Sequence, residues 1–216
     1  IFSIKFDEQV HEELADLVVG FLQDAYAEQG ALLNHYPQQS IQVILYSRDD
    51  YDMTTGAPAW SAGRFDGKIR LPVNVRQTQD ADLKRILQHE YNHFIAQQLS
   101  RGRAPAWFYE GLAMLAEGRS NSDLTYLHAA IASGNLRDFS ALEKSFNGFG
   151  ADDAYLAYEQ SFSFVSYLGN QFGWHVLKDI LLAYGREGST SEAFTSVFKD
   201  FGLDYSQLHQ EWLAGL

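Results

Sequence analysis

The sequence predicts an α+β fold in two lobes, on three observations. Short apolar runs with strand-like alternation are confined to the stretch from Ile1 to Val73. From Pro105 onward apolar residues recur at the three- and four-residue intervals of helices. Between the two lies a periodic stretch from about Asp80 to Leu99 that reads as one continuous helix joining a small N-terminal mixed β-sheet to a mostly helical C-terminal lobe. Residues 1–103 are expected to form the α/β lobe and 104–216 the helical lobe, one domain in two parts.

The elements follow in order. Ile1 to Phe6 reads as a strand and His11 to about Leu33 as an amphipathic helix. Ile41 to Tyr46 reads as a buried strand, bounded by Pro37 and an Arg48-Asp49-Asp50 loop. Asp66-Gly67 between Phe65 and Lys68 is a two-residue hairpin signal, and Lys68 to Val73 alternates with Ile69, Leu71 and Val73 on one side. In the long helix Leu83, Ile86, Leu87, Phe94, Ile95 and Leu99 supply the apolar side. Asp80 and Asp82 near its start suit the helix dipole, and Ser100 to Arg103 breaks it. Helices are then expected over Leu124–Ala132, Phe139–Phe146, Tyr155–Phe172, His175–Tyr184, Ser191–Phe198 and Tyr205–Leu213. Gly148 to Asp153 is read as a linker that offers a rim to whatever site Tyr158 lines.

The long helix carries His89-Glu90-Tyr91-Asn92-His93, an H-E-x-x-H pattern. Residues four apart lie one above the other on a helix, so both imidazoles project from one face and are placed to hold one ion. Glu90 sits beside them, close enough to act on a water without being a ligand. A third ligand is expected in Pro105-Ala106-Trp107-Phe108-Tyr109-Glu110-Gly111, where Pro105 suits the start of a new helix and Gly118 its end. From His93 to Leu99 is about 9 Å and from Pro105 to Glu110 about 7.5 Å along a helix. An antiparallel return therefore brings Glu110 level with the histidines. Gly111 costs about 1 kcal/mol in a helix interior relative to Ala, which suggests a close backbone approach to the first helix.

The combination of HEYNH, WFYEGLA and AYEQS resembles the gluzincin zinc metallopeptidases, in particular the compact bacterial peptidase MA-like domains found beside tetratricopeptide repeats. It is distantly similar to the aminopeptidase N and thermolysin groups. The resemblance implies a zincin-like two-lobe fold and one zinc ion on His89, His93 and Glu110. It implies Glu90 as general base of peptide hydrolysis through a metal-activated water. It also implies Tyr158, with Tyr155 as fallback, as hydrogen-bond donor to the oxyanion. Peptide or protein substrates follow, as do tetratricopeptide repeats in a longer parent protein. Glu117 occupies a position often acidic in the aminopeptidase group, and equally reads as a solvated glutamate.

Two departures narrow the reading. Thermolysin-like members carry an acidic residue four positions after the glutamate ligand, where it orients a zinc histidine, and this chain has Met114 there. The aminopeptidase group captures the substrate amino terminus with a glutamate on a glycine-rich strand; here the segment is Trp60-Ser61-Ala62-Gly63-Arg64-Phe65, without one. An edge over Ala57 to Gly63 is instead expected to bind an extended peptide by strand addition, through Ala62 and Gly63, against the alternative of a covered structural hairpin. The alternative function from another class is a catalytically inactive, zinc-stabilised module that binds a peptide or protein.

Composition bounds the rest. At 216 residues and 46% hydrophobic the chain can bury one good core or two lobes, and no apolar run reaches membrane-spanning length. A net charge of −12 argues against nucleic acid, favours neutral or basic substrates at long range, and equally serves solubility. Zero cysteines exclude disulfides and thiol ligands. They leave the compartment open, with an extracytoplasmic or periplasmic location favoured over the cytoplasm. The first residue is Ile, so the chain reads as a processed protein or an excised domain. His11, His35, His128, His175 and His209 lack ligand-like spacing and read as surface or packing residues.

Overall fold

A computed structural model of the protein describes residues 1–6, 12–57, 61–73, 80–120 and 124–216. His11 and residues 58–60 of the expected peptide-binding edge lie outside the described residues. The chain forms two compact units, Ile1–Ile95 and Ala96–Leu216, and the division falls within the helix that carries the H-E-x-x-H pattern.

In the first unit the elements run β1 (Phe2–Phe6), α1 (Glu12–Leu32), β2 (Ile41–Tyr46), α2 (Arg48–Thr55), β3 (Arg64–Phe65), β4 (Ile69–Pro72) and α3 (Asp80–Ser100). The sheet order is β1-β2-β4-β3, with β1 and β4 parallel to β2 and β3 antiparallel to β4. Ile41, Val43 and Leu45 of β2 and Ile69 and Leu71 of β4 are buried while their neighbours are half-buried, the alternation of strands with one face on a core. Val18, Leu22 and Ala25 of α1 and Leu83, Leu87, Tyr91 and Phe94 of α3 fill that core. Both sets keep helical spacing, which turns one stripe of each helix inward.

The second unit holds α4 (Ala106–Ala116), α5 (Thr125–Ser133), α6 (Ala151–Phe172), α7 (Trp174–Tyr184), α8 (Thr190–Phe198) and α9 (Tyr205–Ala214). Its core is built on rings. Trp107 lies 4.9 Å from Phe139 and 5.5 Å from Phe164, which in turn lies 5.3 Å from Trp212, within the range where aromatic pairs attract. No helix among the described residues is long and apolar enough to cross a membrane.

The α+β class, the small mixed sheet and the helical C-terminal part agree with the sequence reading, and several local expectations do not. Arg48-Asp49-Asp50 is the first turn of α2, capped by the Ser47 side chain on the Asp50 amide and closed by Gly56 at φ 57°. The hairpin loop has three residues, because Phe65 pairs with Ile69 and leaves Asp66–Lys68 between them, with Gly67 at φ 90°. Phe139–Phe146 is two 3-10 turns, Phe139–Leu142 and Phe146–Gly148, each begun by its own side-chain cap from Asp138 and Ser145. Residues 151–153 of the expected linker form the first turn of α6, where Asp152 and Asp153 suit the dipole. Ala57 and Ser61–Gly63 lie outside any strand, so among the described residues the edge strand here is Arg64–Phe65.

Candidate active site

Three consequences of α3's geometry place its polar residues. The stripe Leu83, Leu87, Tyr91, Phe94 faces the core. His89 and His93 lie on the far side of the helix, half-buried, with ring centroids 4.8 Å apart and edge to face. Glu90 lies on the flank between and is only 5% exposed.

A buried amide network fixes α3 against α1. Gln29 donates through Nε2 to the Gln88 carbonyl at 2.8 Å, and Asn92 donates through Nδ2 to Gln29 Oε1 at 3.0 Å. Gln88 donates to Glu28 at 2.7 Å, and Lys84 pairs with Asp24 and Glu28 at the exposed end. Gln29 and Asn92 are almost wholly excluded from water, so each of these bonds replaces hydration that is no longer available. Asn92, at an unspecified position of the H-E-x-x-H pattern, is thus one of the residues that sets the helix's orientation.

The other flank of α3 meets irregular backbone. A Cβ at Gly63 would lie 2.8 Å from Glu90 Oε1, 3.0 Å from Ile86 Cγ2 and 3.1 Å from Glu90 Cγ, so a side chain there would have to displace the Glu90 carboxylate, and glycine leaves it in place. Ser61 Oγ lies 2.8 Å from the Gly63 carbonyl and 3.0 Å from the Tyr51 hydroxyl. Arg48 donates to the Ser61 carbonyl at 3.2 Å, and Arg64 donates to the Thr55 carbonyl at 2.9 Å. Tyr51 is fully buried, and burial foremost raises its phenol above the ordinary range, with the Glu90 charge adding to the rise and the Ser61 hydrogen bond opposing it. Sequence reading missed Tyr51 and Ser61 because α2 has no apolar period; the signal present was the Ser47-x-x-Asp50 start of a capped helix. Ala62 is exposed and Gly63 half-buried.

In α4, Glu110 is half-buried. Its neighbour Tyr109 shares a 2.5 Å hydrogen bond with Ser100, whose hydroxyl also reaches the Ala96 carbonyl at 2.8 Å. This ties the start of α4 to the last turn of α3. Gly111 does provide a close backbone approach, but to α6: an added Cβ would stand 2.4 Å from the Ser161 carbonyl oxygen. Met114 is buried with Leu124, Leu127 and Phe162, so the position that is acidic in thermolysin-like members is core here. Tyr158 is half-buried against the same cluster and meets Phe146 edge to face at 5.3 Å. Tyr155 is 44% exposed and stacks on Tyr126 at 5.1 Å. Glu117 closes α4 as its C-cap, its amide bonded to the Ala113 carbonyl. Glu159, beside Tyr158, is 4% exposed and accepts from the Leu127 amide at 2.9 Å, which fixes α5.

Among the described residues, one set of three or more potential metal ligands stands close together: His89, His93 and Glu110 each offer an atom, and these atoms lie within 4.8 Å of one another. Two imidazole nitrogens and one carboxylate oxygen, all half-buried, are a donor set that suits zinc, whose catalytic sites use three such ligands and keep a position open. Of the remaining histidines, His128 and His175 are exposed. His209 sits among Phe139, Phe164, Tyr205 and Trp212 in ring contacts of 5.3 to 5.9 Å.

The sequence model of the Peptidase MA superfamily matches residues 23–216. No curated protein matches the chain.

Proposed function

The chain belongs to the Peptidase MA superfamily, and from that premise we propose that it is a zinc-dependent metallopeptidase that hydrolyses peptide bonds with Glu90 as general base. The observation that carries the reading is the clustering of His89, His93 and Glu110 ligand atoms within 4.8 Å, beside a nearly buried glutamate. Bound in such a donor set, zinc supplies Lewis acidity, lowering the pKa of water to about 7 and polarising a carbonyl.

The chain's own groups divide the remaining work. His89 and His93 offer imidazole nitrogens and Glu110 a carboxylate oxygen as ligand atoms. Glu90 accepts the proton of the attacking water and hands it to the leaving amine, a task suited to a carboxylate withdrawn from bulk solvent. Tyr158 donates a hydrogen bond to the oxyanion. Ala62 and Gly63, just before the edge strand β3, hold the extended substrate beside Glu90.

Metal analysis together with a peptide-library digest tests this. The expected result is one equivalent of zinc in wild type and Glu90→Gln alike, with cleavage only in wild type. Zinc at one equivalent without Glu90-dependent cleavage would assign the chain instead to an inactive, zinc-stabilised module that binds peptide or protein.

A further inference from the structure

The geometry points to Tyr51 and Ser61 as positioning residues that hold the Gly63 backbone against the Glu90 side chain, making α2 a buttress for the proposed base. This rests on the role given to Glu90 above.

The direction of the hydrogen bonds can be assigned by exclusion. The Gly63 carbonyl can only accept, so the Ser61 hydroxyl spends its single proton there, at 2.8 Å. The Tyr51 hydroxyl, 3.0 Å from Ser61 Oγ, must then be the donor to it. With its phenol raised above the ordinary range, Tyr51 keeps that proton at neutral pH. The result is a directed relay, Tyr51 to Ser61 to the Gly63 carbonyl.

Two further bonds make the relay a clamp. Arg48, oriented by Asp52 at 2.9 Å, donates to the Ser61 carbonyl, and Arg64 donates back to the Thr55 carbonyl at the end of α2. Residues 61–64 are therefore fixed at three points to a helix of only eight residues. Tyr51 is that helix's one buried side chain, and its ring packs on Tyr46 of β2 at 6.3 Å. The clamp is anchored in the sheet. Its other end is the Gly63 backbone, where a Cβ would come within 3.1 Å of two Glu90 atoms. An irregular segment with so little slack confines the carboxylate on that side, and a general base gains rate from such confinement.

The experiment follows wild type, Tyr51→Phe, Ser61→Ala and Ser61→Thr. In metal-free protein, amide hydrogen exchange is read at Ala62, Gly63 and Arg64. In zinc-loaded protein, zinc affinity, Tm, kcat and KM are read on the library peptide that wild type cleaves best. Exchange is expected to rise about tenfold in Tyr51→Phe and Ser61→Ala, the scale of one lost hydrogen bond. In the same variants kcat falls about ten- to a hundredfold, as for a misplaced catalytic group, with KM rising alongside because Ala62 and Gly63 also hold the substrate, while zinc affinity and Tm hold. Ser61→Thr, which keeps the hydroxyl, restores both. Unchanged exchange in Tyr51→Phe and Ser61→Ala overturns the clamp. Raised exchange with unchanged kcat, or a parallel fall of Tm and zinc affinity, overturns its role in positioning Glu90. Were wild type to show no Glu90-dependent cleavage, the proposed function would have failed, and the exchange measurement alone would then uphold or overturn the clamp.

Discussion

Gly111 of α4 lies so close to Ser161 of α6 that an added Cβ would stand 2.4 Å from the Ser161 carbonyl oxygen and 2.7 Å from a Val165 methyl. The obstacle is backbone, which cannot rotate aside. Gly111→Ala should therefore destabilise the protein by about 1–3 kcal/mol through overpacking, although alanine is the better helix former by about 1 kcal/mol. Gly20→Ala in α1, exposed with nothing within 4 Å of its Cβ, should stabilise by up to about 1 kcal/mol. Urea unfolding of the two variants checks the opposite signs.

Ligand substitutions should separate metal binding from chemistry. Glu110→Ala removes one of three donors, and His93→Ala another. A ligand that binds only the folded state at a free concentration about 100-fold above its Kd adds about 2.7 kcal/mol. Zinc should accordingly raise the Tm of wild type and Glu90→Gln alike, and should leave Glu110→Ala and His93→Ala nearly unmoved. A full zinc-dependent rise in either of the latter would remove that residue from the ligand set.

The amide pair Gln29 and Asn92 makes a separate prediction. Asn92→Ala leaves the Gln29 Oε1 acceptor buried without its donor and should cost about 1–3 kcal/mol. Gln29→Ala should cost a similar amount. Because the two side chains share one bond, the double variant should lose less than the sum, and a thermodynamic cycle from urea unfolding measures the difference.

His209 predicts a pH dependence of stability. Burial among the rings of Phe139, Phe164, Tyr205 and Trp212 lowers its pKa in the folded state, with the Asp138 carboxylate opposing. Tyr205, the other titratable group packed on it, stays protonated because burial raises its phenol. As pH falls below the unfolded histidine value of about 6.5, the unfolded chain binds the proton first. Stability that is complete above that pH is then lost as pH falls through the lower folded value. In metal-free protein, the drop in Tm between pH 8 and pH 5 should be smaller in His209→Gln than in wild type.

Legibility in the sequence followed the physics of each element. β2 was readable at both ends because Ile41, Val43 and Leu45 alternate and the neighbouring residues stop the strand. α3 was readable because its apolar stripe spans the whole helix. α2 was not, since a helix that buries only Tyr51 has no period to detect and its acidic first turn looks like a solvated loop. Phe139–Phe146 had helical spacing, but Asp138 and Ser145 each start a separate turn, and capping chemistry overrode the pattern. In the site, the H-E-x-x-H pair and Glu110 were legible because helix geometry ties spacing to position. The contacts around Glu90 were not, because the approach of Gly63 depends on a fold of irregular backbone that no periodicity encodes. Met114 showed only as a departure, and its burial with Leu124, Leu127 and Phe162 explains it as packing.

The two-residue length of β3 has a bearing on solution behaviour. It closes one side of the sheet with Arg64 at its start and Lys68 as the last residue of the hairpin loop, next to the Asp66 and Arg70 ion pair. The long strand of a second copy finds too short a ladder there to pair along its length, though a short extended peptide does not need more, and the flanking charges discourage sheet-to-sheet pairing further. Self-association through the sheet would have to use the opposite margin, β1, where exposed Ser3 and Lys5 alternate with half-buried Phe2 and Ile4. Lys5 is then the gatekeeper of that margin, keeping a positive charge where two copies would otherwise zip together.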